Sequence, residues 1–203
     1  MGSSKLFADI GKHLENDRKP SIFLNDVFHK PEFNDYPFSI LKKLEETKQS
    51  PKHHPEGNVW IHTLLVVDEA ALQKEKSSDP NAFMWAALLH DIGKTVSTTI
   101  RNGRITAYDH DKTGAVLAEK ILTECTTDKG FIRAVCALVR YHMHVFYVTK
   151  NLPYADIAQM KQQCDVHDIA LLGYCDRCGR TNVKRNDEGN TIKIFLKKIG
   201  LQP

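Results

Sequence analysis

The sequence contains no long hydrophobic run. Across its 203 residues, no stretch approaches the roughly 18 consecutive apolar residues that a membrane-spanning helix needs. Residues 1–6 hold no apolar segment long enough for a signal peptide, and Leu6 stands where the myristoylation pattern requires Ser or Thr. These absences favour a cytoplasmic protein that does not enter a membrane.

Cysteine is scarce and does not follow the spacing of a disulfide framework. The five cysteines are an odd number, so we expect free thiols in a reducing compartment. Cys175 and Cys178 form a Cys-x-x-Cys pair, but a zinc knuckle usually needs a second pair, and the sequence has none. A redox motif would be expected in a β-α-β setting. The pair is therefore interpreted as two core or near-surface thiols on one helix.

The sequence also lacks a strong excess of one charge. Lys and Arg number 28 and Asp and Glu 25, which gives a net charge of +3. This weak excess does not predict nucleic-acid binding by itself, but it is compatible with an anionic substrate if the positive charges cluster. The hydrophobic fraction of 41% is ordinary for a globular protein with a core.

Helical patterns occupy most of the chain. Asn58, Asp79, Asp128 and Asp165 each precede an apolar or amphipathic segment, as N-cap residues do, and Pro80 stands at a first helical position. The predicted helices cover residues 6–14, 21–28, 39–46, 59–72, 80–90, 111–125, 129–146, 154–163, 165–178 and 191–199. Together they predict an all-α helical bundle.

One segment departs from the helical pattern. Residues 95–108 contain β-branched side chains around the Asn102-Gly103 dipeptide. Such a segment predicts either a small hairpin or an irregular loop, inserted between two helices.

A histidine-aspartate pair at the end of a buried helix is the most informative motif. Residues 86–94 read Ala-Ala-Leu-Leu-His-Asp-Ile-Gly-Lys, so two good metal ligands follow an apolar run. Gly93 is interpreted as the residue that ends the helix and lets the backbone turn. Two more His-Asp pairs occur at 110–111 and 167–168, but neither has an apolar helix before it and Gly-Lys after it.

Helical phase indicates which other polar residues face the interior. The positions three, four and seven residues before His142 are all apolar, so His142 continues an inward face. His144 lies about 200° further round the same helix and is expected to point elsewhere. The same test places Asp176 and His62 on inward faces.

Several polar groups on inward faces predict a shared partner. A buried imidazole is by itself more often a hydrogen-bonded core residue, and a buried carboxylate requires an arginine or a metal ion. The inward set, from four predicted helices, is His62, His90, Asp91, His142 and Asp176. His110, at a predicted loop–helix junction, is a further candidate. Five such groups favour a metal site.

These residues resemble the HD superfamily of metal-dependent phosphohydrolases. The superfamily pattern is a histidine, a His-Asp pair and a distant aspartate, which match His62, His90-Asp91 and Asp176. The resemblance covers roughly residues 36–180. It is strongest to the HD domains appended to bacterial tRNA nucleotidyltransferases. That likeness rests on residues 54–64, 87–94, His110 with Gly114, and 176–180.

The resemblance implies a division of the chain and excludes some activities. Residues 1–35 are expected to form a helical extension, residues 36–180 the HD domain, and residues 181–203 a C-terminal helix packed on it. Only 61 residues precede His62, so we do not expect tRNA end-addition. The sequence also lacks the Glu-Asp pair of guanosine tetraphosphate hydrolases and the Gly-Tyr-Pro motif of cyclic-di-GMP phosphodiesterases.

The ligand set predicts a divalent metal cofactor, as one or two ions. Two imidazoles and two carboxylates suit Mn²⁺, Fe²⁺, Co²⁺, Ni²⁺ or Zn²⁺ better than they suit an ion with oxygen ligands only. Mg²⁺ is kept as a further candidate. If His110 and His142 also bind, Asp91 is placed to bridge two metals. Such a metal lowers the pKa of bound water and polarises a phosphoryl oxygen.

Substrate contacts are expected from five side chains. Lys94 is interpreted either as a contact to the substrate phosphate or as a charge that satisfies the C-terminal end of a helix. Arg177 and Arg180 flank the last ligand and are either phosphate-binding or solvated residues. His54 and Glu56 either line the mouth of the site or belong to a turn before a helix.

The combined prediction is an enzyme that hydrolyses a phosphoester of a nucleotide or related small molecule by attack of metal-bound water. Asp91 and Lys94 are its expected catalytic residues. Two alternatives stay open, a phosphodiesterase or nuclease acting on RNA or single-stranded DNA, and a non-catalytic metal-binding module. Residues 191–199 are interpreted as a packing helix, with docking on a partner or on nucleic acid as the alternative.

Overall fold

Helices make up most of the computed structural model, which describes residues 3–202. The α-helices in chain order are α1 (Ser3–Asn16), α2 (Pro20–Phe28), α3 (Ser39–Glu46), α4 (Val59–Ala71), α5 (Pro80–Leu89), α6 (Lys94–Ser97), α7 (His110–Thr123), α8 (Lys129–Tyr141), α9 (His144–Thr149), α10 (Ile157–Gln163), α11 (Val166–Cys178) and α12 (Arg185–Lys198). Two short 3-10 helices, Pro31–Asn34 and Lys74–Lys76, lie between them. The predicted all-α fold is confirmed.

Side-chain caps define where five of these helices begin. The cap residues Asn58, Asp79, Asp128, Asp156 and Asp165 each accept a hydrogen bond from a backbone N–H in the first turn of the helix that follows. Each cap satisfies a donor that has no partner within the helix, which is worth about 1 kcal/mol. A defined first residue also sets the direction of each later side chain, including those that form the site.

Helix α5 is the centre of the core. Every residue from Ala82 to Leu89 is buried, and α1, α4, α8 and α11 pack around the helix. A helix that is covered on all sides has to be apolar all round. Polar side chains resume only at His90 and Asp91, directly after α5. The most apolar helix of the protein therefore carries two polar residues into the interior.

The segment after α6 forms a β-hairpin, the first of the two predicted alternatives. Strands β1 (Thr98–Arg101) and β2 (Arg104–Ala107) pair in antiparallel register. Asn102 and Gly103 connect them with φ angles of 49° and 72°. Two successive positive φ angles are the geometry of a type I′ turn, which suits Asn-Gly. The hairpin leads directly into His110 at the start of α7.

The prediction of one continuous helix over residues 129–146 is wrong. The chain forms α8 and α9 with a turn at His142 and Met143 between them. At this break the His142 ring approaches the end of its own helix, and Nδ1 lies 2.7 Å from the Val139 carbonyl oxygen. The break contains neither glycine nor proline, so the sequence pattern gave no sign of it.

The last helix is longer than predicted. Helix α12 begins at Arg185 rather than at residue 191. The sequence did not indicate the earlier start, because Gly189 and Asn190 interrupt the helical pattern there. Asp187 and Glu188 lie in its first turn, where the helix dipole favours negative charge. Phe195 and Leu196 are buried, and α12 packs on α9 and α11.

The N-terminal helices share the main core. Leu6, Ile10 and Leu14 are buried on one face of α1, which packs on α5 and α2. Helix α2 in turn packs on α4. Within residues 3–202, no helix is both long and apolar enough to cross a membrane.

Candidate metal centre

Histidine and aspartate side chains from five helices meet at the end of α5. His62 lies on α4, His90 and Asp91 follow α5, His110 begins α7, His142 ends α8 and Asp176 lies on α11. The four histidines and Asp91 are all buried, and the Asp176 side chain is 13% exposed. The structure thus brings together all six residues that the sequence proposed as ligands.

Asp91 is the central carboxylate. Its Oδ2 atom lies 3.3 Å from Nε2 of His90 and 3.8 Å from Nε2 of His62. Its Oδ1 atom lies 3.5 Å from Nε2 of His110 and 3.8 Å from Nε2 of His142. Each carboxylate oxygen therefore faces a different pair of imidazoles, and the ligand atoms form two groups that share Asp91.

Three of the imidazoles are oriented by the same local hydrogen bond. Nδ1 of His90, His110 and His142 lies 2.8, 2.7 and 2.7 Å, respectively, from the carbonyl oxygen three residues earlier. A carbonyl only accepts, so each Nδ1 carries the hydrogen and each Nε2 keeps its lone pair. These three Nε2 atoms are buried and have no hydrogen-bond partner. Buried lone pairs of this kind are suited to a metal ion.

His62 has a carboxylate beside its Nδ1 instead. Glu56 Oε1 lies 2.9 Å from Nδ1 of His62 and 2.9 Å from Nδ1 of His54. Burial raises the pKa of Glu56, but hydrogen bonds from His62, its own backbone and His54 lower it to about 2. The Glu56 side chain is 1% exposed and does not line the cavity beside the site, whereas His54 does.

Asp176 completes the His62 side of the centre. Its Oδ1 atom lies 3.1 Å from Nε2 of His62, and the Arg180 guanidinium lies 3.3 Å from the same oxygen. This contact between His62 and Asp176 is a hydrogen bond, and the same two atoms would be available to hold an ion.

The charges of the centre suit metal binding. Burial and the neighbouring His110 and His90 lower the pKa of His142 to about 3, and burial also lowers that of His110. Burial would raise the pKa of Asp91, but Lys94 and His90 hold it well below its usual value. Neutral His110 and His142 and an ionised Asp91 are the forms that bind metals. His62 differs, because burial would lower its pKa but hydrogen bonds to Asp176 and Glu56 raise it.

Lys94 contacts the central carboxylate directly. Its Nζ lies 2.6 Å from Asp91 Oδ2 and donates to Gln49 Oε1 at 2.7 Å. It stands at the first residue of α6, five residues after the end of α5. Gln49 is 8% exposed and was not anticipated, because it lies in an irregular segment without any motif.

Gly93 has a different role from the one predicted. Its φ of −64° is an ordinary helical value, so the residue does not supply a left-handed turn. A Cβ atom at Gly93 would overlap the His110 carbonyl oxygen and the Gly114 nitrogen. Glycine is needed here because α7 passes directly against the backbone after Asp91. This close approach brings His110 to the centre.

A cavity of about 480 Å³ opens on the centre. Asp91, His110, His142 and Asp176 lie in its wall. Its basic residues are Lys48, Lys94, Lys150, Arg177 and Arg180. Arg177 also pairs with Glu188 of α12, and Arg180 with Asp176. The candidate substrate contacts Lys94, Arg177, Arg180 and His54 therefore share one cavity.

The other His-Asp pairs have structural partners. Asp111 accepts a hydrogen bond from Arg140 at 2.7 Å, and Asp168 accepts from the Ser78 backbone and hydroxyl at 3.1 and 2.6 Å. His144 is buried away from the centre, where its Nε2 accepts from the Asp156 N–H at 3.1 Å. The burial of His144 was not expected, because the prediction assumed one continuous helix. In the structure α9 is a separate helix and does not continue the helical phase of α8.

All five cysteines are free thiols. Cys175 and Cys178 are buried on α11, in agreement with their interpretation as thiols rather than zinc ligands. Among the described residues, the groups able to hold a metal contain only histidine, aspartate and glutamate.

Comparison with known proteins identifies the family. The protein-family model that is described as "HD domain" matches residues 59–172 of the sequence. A Multifunctional CCA protein of Methylococcus capsulatus is 31% identical over 159 residues, which are 78% of this chain and 32% of that protein. A Multifunctional CCA protein of Actinobacillus pleuropneumoniae serotype 5b is 29% identical over 116 residues, 57% of this chain and 28% of the relative. The chain thus spans about a third of the length of these curated relatives.

These matches confirm the expected likeness to the HD domains of bacterial tRNA nucleotidyltransferases. The family match covers more than half of the chain and includes His62, the His90-Asp91 pair, His110 and His142. With its helical fold and its buried His/Asp cluster, the protein belongs to the HD-domain family, whose members are in general metal-dependent phosphohydrolases.

Proposed function

We propose that this protein is a metal-dependent enzyme that hydrolyses a phosphoester of a nucleotide or related small molecule. The observation that carries the proposal is the set of buried Nε2 atoms of His90, His110 and His142, which have no hydrogen-bond partner and surround Asp91. Leaving buried polar atoms unpaired is costly, and a bound cation removes that cost.

The donor set fits a divalent transition metal. His62, His90, Asp91 and Asp176 would hold one ion, and His110 and His142 with the second oxygen of Asp91 would hold another. Imidazole nitrogens favour Mn²⁺, Fe²⁺, Co²⁺, Ni²⁺ or Zn²⁺ over Mg²⁺. The chemistry that such an ion supplies is acidification of water and polarisation of a phosphoryl oxygen.

The charged side chains of the cavity bind and orient the phosphate in this proposal. Lys94 already pairs with Asp91 Oδ2 and donates to Gln49, and its side chain lines the cavity. Arg180 adds a second cation beside Asp176. Both side chains would stabilise the negative charge that develops on a phosphoryl group during hydrolysis. Arg177, which pairs with Glu188, is a weaker candidate.

A phosphoester screen tests the proposal. Purified wild type, His90→Ala and Asp91→Ala would be assayed with nucleotides and sugar phosphates in the presence of Mn²⁺, Ni²⁺, Co²⁺ or Mg²⁺, after elemental analysis. We expect metal-dependent hydrolysis by the wild type, and loss of both metal and activity in the two variants. His167→Ala is the matched control, because it removes an exposed histidine from another His-Asp pair.

Two results would contradict the proposal. Unchanged hydrolysis in His90→Ala and Asp91→Ala would show that the activity does not depend on this centre. Stoichiometric metal without turnover of any phosphoester would favour a non-catalytic metal-binding module.

A second candidate substrate is the end of an RNA strand. Lys48, Lys150 and Arg177 place additional positive charge in the cavity wall, where a continuing phosphate backbone would benefit from it. Parallel assays with mononucleotides and short single-stranded oligoribonucleotides separate the two candidates. Faster hydrolysis of the oligonucleotide, with a steep dependence on salt, would favour RNA.

A further inference from the structure

A buried glutamine holds the ammonium group of Lys94. Gln49 Oε1 accepts a hydrogen bond from Lys94 Nζ at 2.7 Å, although the two residues are 45 positions apart in the sequence. Lysine only donates, so the amide oxygen faces Lys94 and the amide nitrogen is left for another acceptor. That nitrogen lies 3.5 Å from the Gly57 carbonyl oxygen. Both ends of a side chain that is only 8% exposed are therefore used inside the protein.

The segment that carries Gln49 is a closed loop beside the cavity. It covers residues 47–58 and connects α3 to α4. The Val59 N–H donates to the Thr47 carbonyl oxygen at 3.2 Å, so the two ends of the loop meet. The contact between Gln49 and Gly57 joins the beginning of the loop to its end a second time. The loop therefore offers Gln49 to Lys94 from a frame that is fixed by its own hydrogen bonds.

The two partners of Lys94 differ in charge. Its Nζ lies 2.6 Å from Asp91 Oδ2, the carboxylate oxygen that also faces two imidazoles of the centre. A cation bound by that oxygen would compete with Lys94 for it, whereas the Gln49 oxygen is a separate acceptor. A neutral amide also holds an ammonium group without cancelling its charge. Two of the three ammonium N–H groups are used in this way, and one is left for an anion.

We propose that Gln49 is a positioning residue, which holds the Lys94 ammonium group in the cavity wall where a phosphoryl oxygen would meet it. Both side chains line the cavity. The proposal rests on the proposed function, in which Lys94 contacts the phosphate, and adds the residue that fixes this contact. Gln49 precedes residues 59–172, so the role belongs to a part of the chain outside the match to the family model.

A double-mutant cycle tests whether Gln49 acts through Lys94. Wild type, Gln49→Leu, Lys94→Met and the double variant would be compared by kcat/KM on the best substrate of the phosphoester screen. Loss of a hydrogen bond to a charged group predicts a fall of about tenfold in Gln49→Leu. Because the amide acts only by holding the ammonium group, the same substitution should have no further effect in the Lys94→Met background.

Two further variants separate positioning from a structural role. Gln49→Glu keeps an oxygen acceptor for Lys94 but adds negative charge beside the bound anion, so it should recover most of kcat while KM rises. Gln49→Leu should mainly lower kcat. Gln73→Leu is the matched control and should keep wild-type rates, because Gln73 also accepts from a lysine, with Lys76 Nζ at 2.7 Å, and neither residue lines the cavity.

Binding of inorganic phosphate gives a readout that does not need turnover. Calorimetric titration of the Mn²⁺-loaded protein should give a Kd about tenfold higher in Gln49→Leu than in the wild type. In the Lys94→Met background, the substitution should leave the Kd unchanged. Elemental analysis and urea denaturation should show that Gln49→Leu keeps its metal and its fold.

The outcomes separate the inference from the proposed function. An unchanged kcat/KM in Gln49→Leu, equal losses with and without Lys94, or loss of metal from Gln49→Leu would overturn the inference and leave the phosphohydrolase intact. Absence of hydrolysis with every metal would overturn the proposed function. In that case, phosphate binding that is undetectable, or that Gln49→Leu does not weaken, would overturn the inference as well.

Discussion

Every imidazole of the centre has an acceptor beside Nδ1. Three use a carbonyl oxygen three residues earlier in their own segment, and His62 uses Glu56. This arrangement leaves all four Nε2 atoms directed towards Asp91 or Asp176. The sequence proposed the candidate ligands from the His-Asp motif and from helical phase, but an acceptor for Nδ1 depends on backbone geometry at helix ends and was not predictable.

Glu56 should control the metal affinity of the centre through His62. In Glu56→Leu the His62 Nδ1 loses its acceptor, and we expect metal affinity to fall by roughly 10–100-fold. Glu56→Gln keeps an oxygen acceptor and should show a smaller loss. Competition of the metal with a chromogenic chelator measures both. The exposed Glu46→Leu serves as the control, and unchanged affinity in Glu56→Leu would contradict the assignment.

The half-buried thiols should react slowly. Burial raises the pKa of Cys125 to about 11 and those of Cys136 and Cys164 to about 12. Because only the thiolate is nucleophilic, the native protein at pH 7.5, about one unit below an ordinary thiol pKa, should be alkylated far more slowly than the denatured protein. Iodoacetamide labelling followed by mass spectrometry measures this. Equal rates in the native and denatured states would show that these thiols are accessible and ionised.

At the scale of elements, helix ends bring the site together. The apolar helix α5 ends at His90, α8 ends at His142 and α7 begins at His110. The capped helices 59–72 and 80–90 were predicted nearly to the residue, because their caps and apolar runs are local signals. The α8–α9 break and the first turns of α12 were missed, because tertiary packing decides them.

Gly93→Ala should separate α7 from the residues that follow α5. The added methyl group collides with the His110 carbonyl and the Gly114 nitrogen, which are backbone atoms and cannot rotate away. We expect a destabilisation of about 1–3 kcal/mol and weaker metal binding on the His110 side. Urea denaturation and metal titration measure the two effects. Gly189→Ala, where a Cβ meets nothing within 4 Å, is the control.

Asp168 should be important for stability and not for metal binding. It accepts two hydrogen bonds from Ser78 and so joins the start of α11 to the segment before α5. Asp168→Ala leaves these donors without a partner, which should cost about 1–3 kcal/mol. Thermal unfolding would report the loss, while metal content stays at the wild-type level. Loss of metal without a change in stability would contradict this role.

At the scale of the whole molecule, one apolar core supports one polar centre. The family, the all-α fold and the six ligand candidates followed from motifs and helical phase. The cavity could not be predicted in this way. Gln49 lies in an irregular loop and Ile105 in the hairpin, and Phe146 lies on α9, a separate helix that does not continue the helical phase of α8. Residues that act only through tertiary packing carry no motif of their own.

In the proposed function, a divalent ion held around Asp91 is required for phosphoester hydrolysis. The most direct measurement follows the rate of hydrolysis while metal-free protein is titrated with Mn²⁺, in the wild type and in Asp91→Ala. We predict no activity without metal, a rate that rises with bound Mn²⁺ and saturates at one or two ions per chain, and no response in Asp91→Ala. Full activity of the metal-free protein, or an equal response in Asp91→Ala, would contradict the claim.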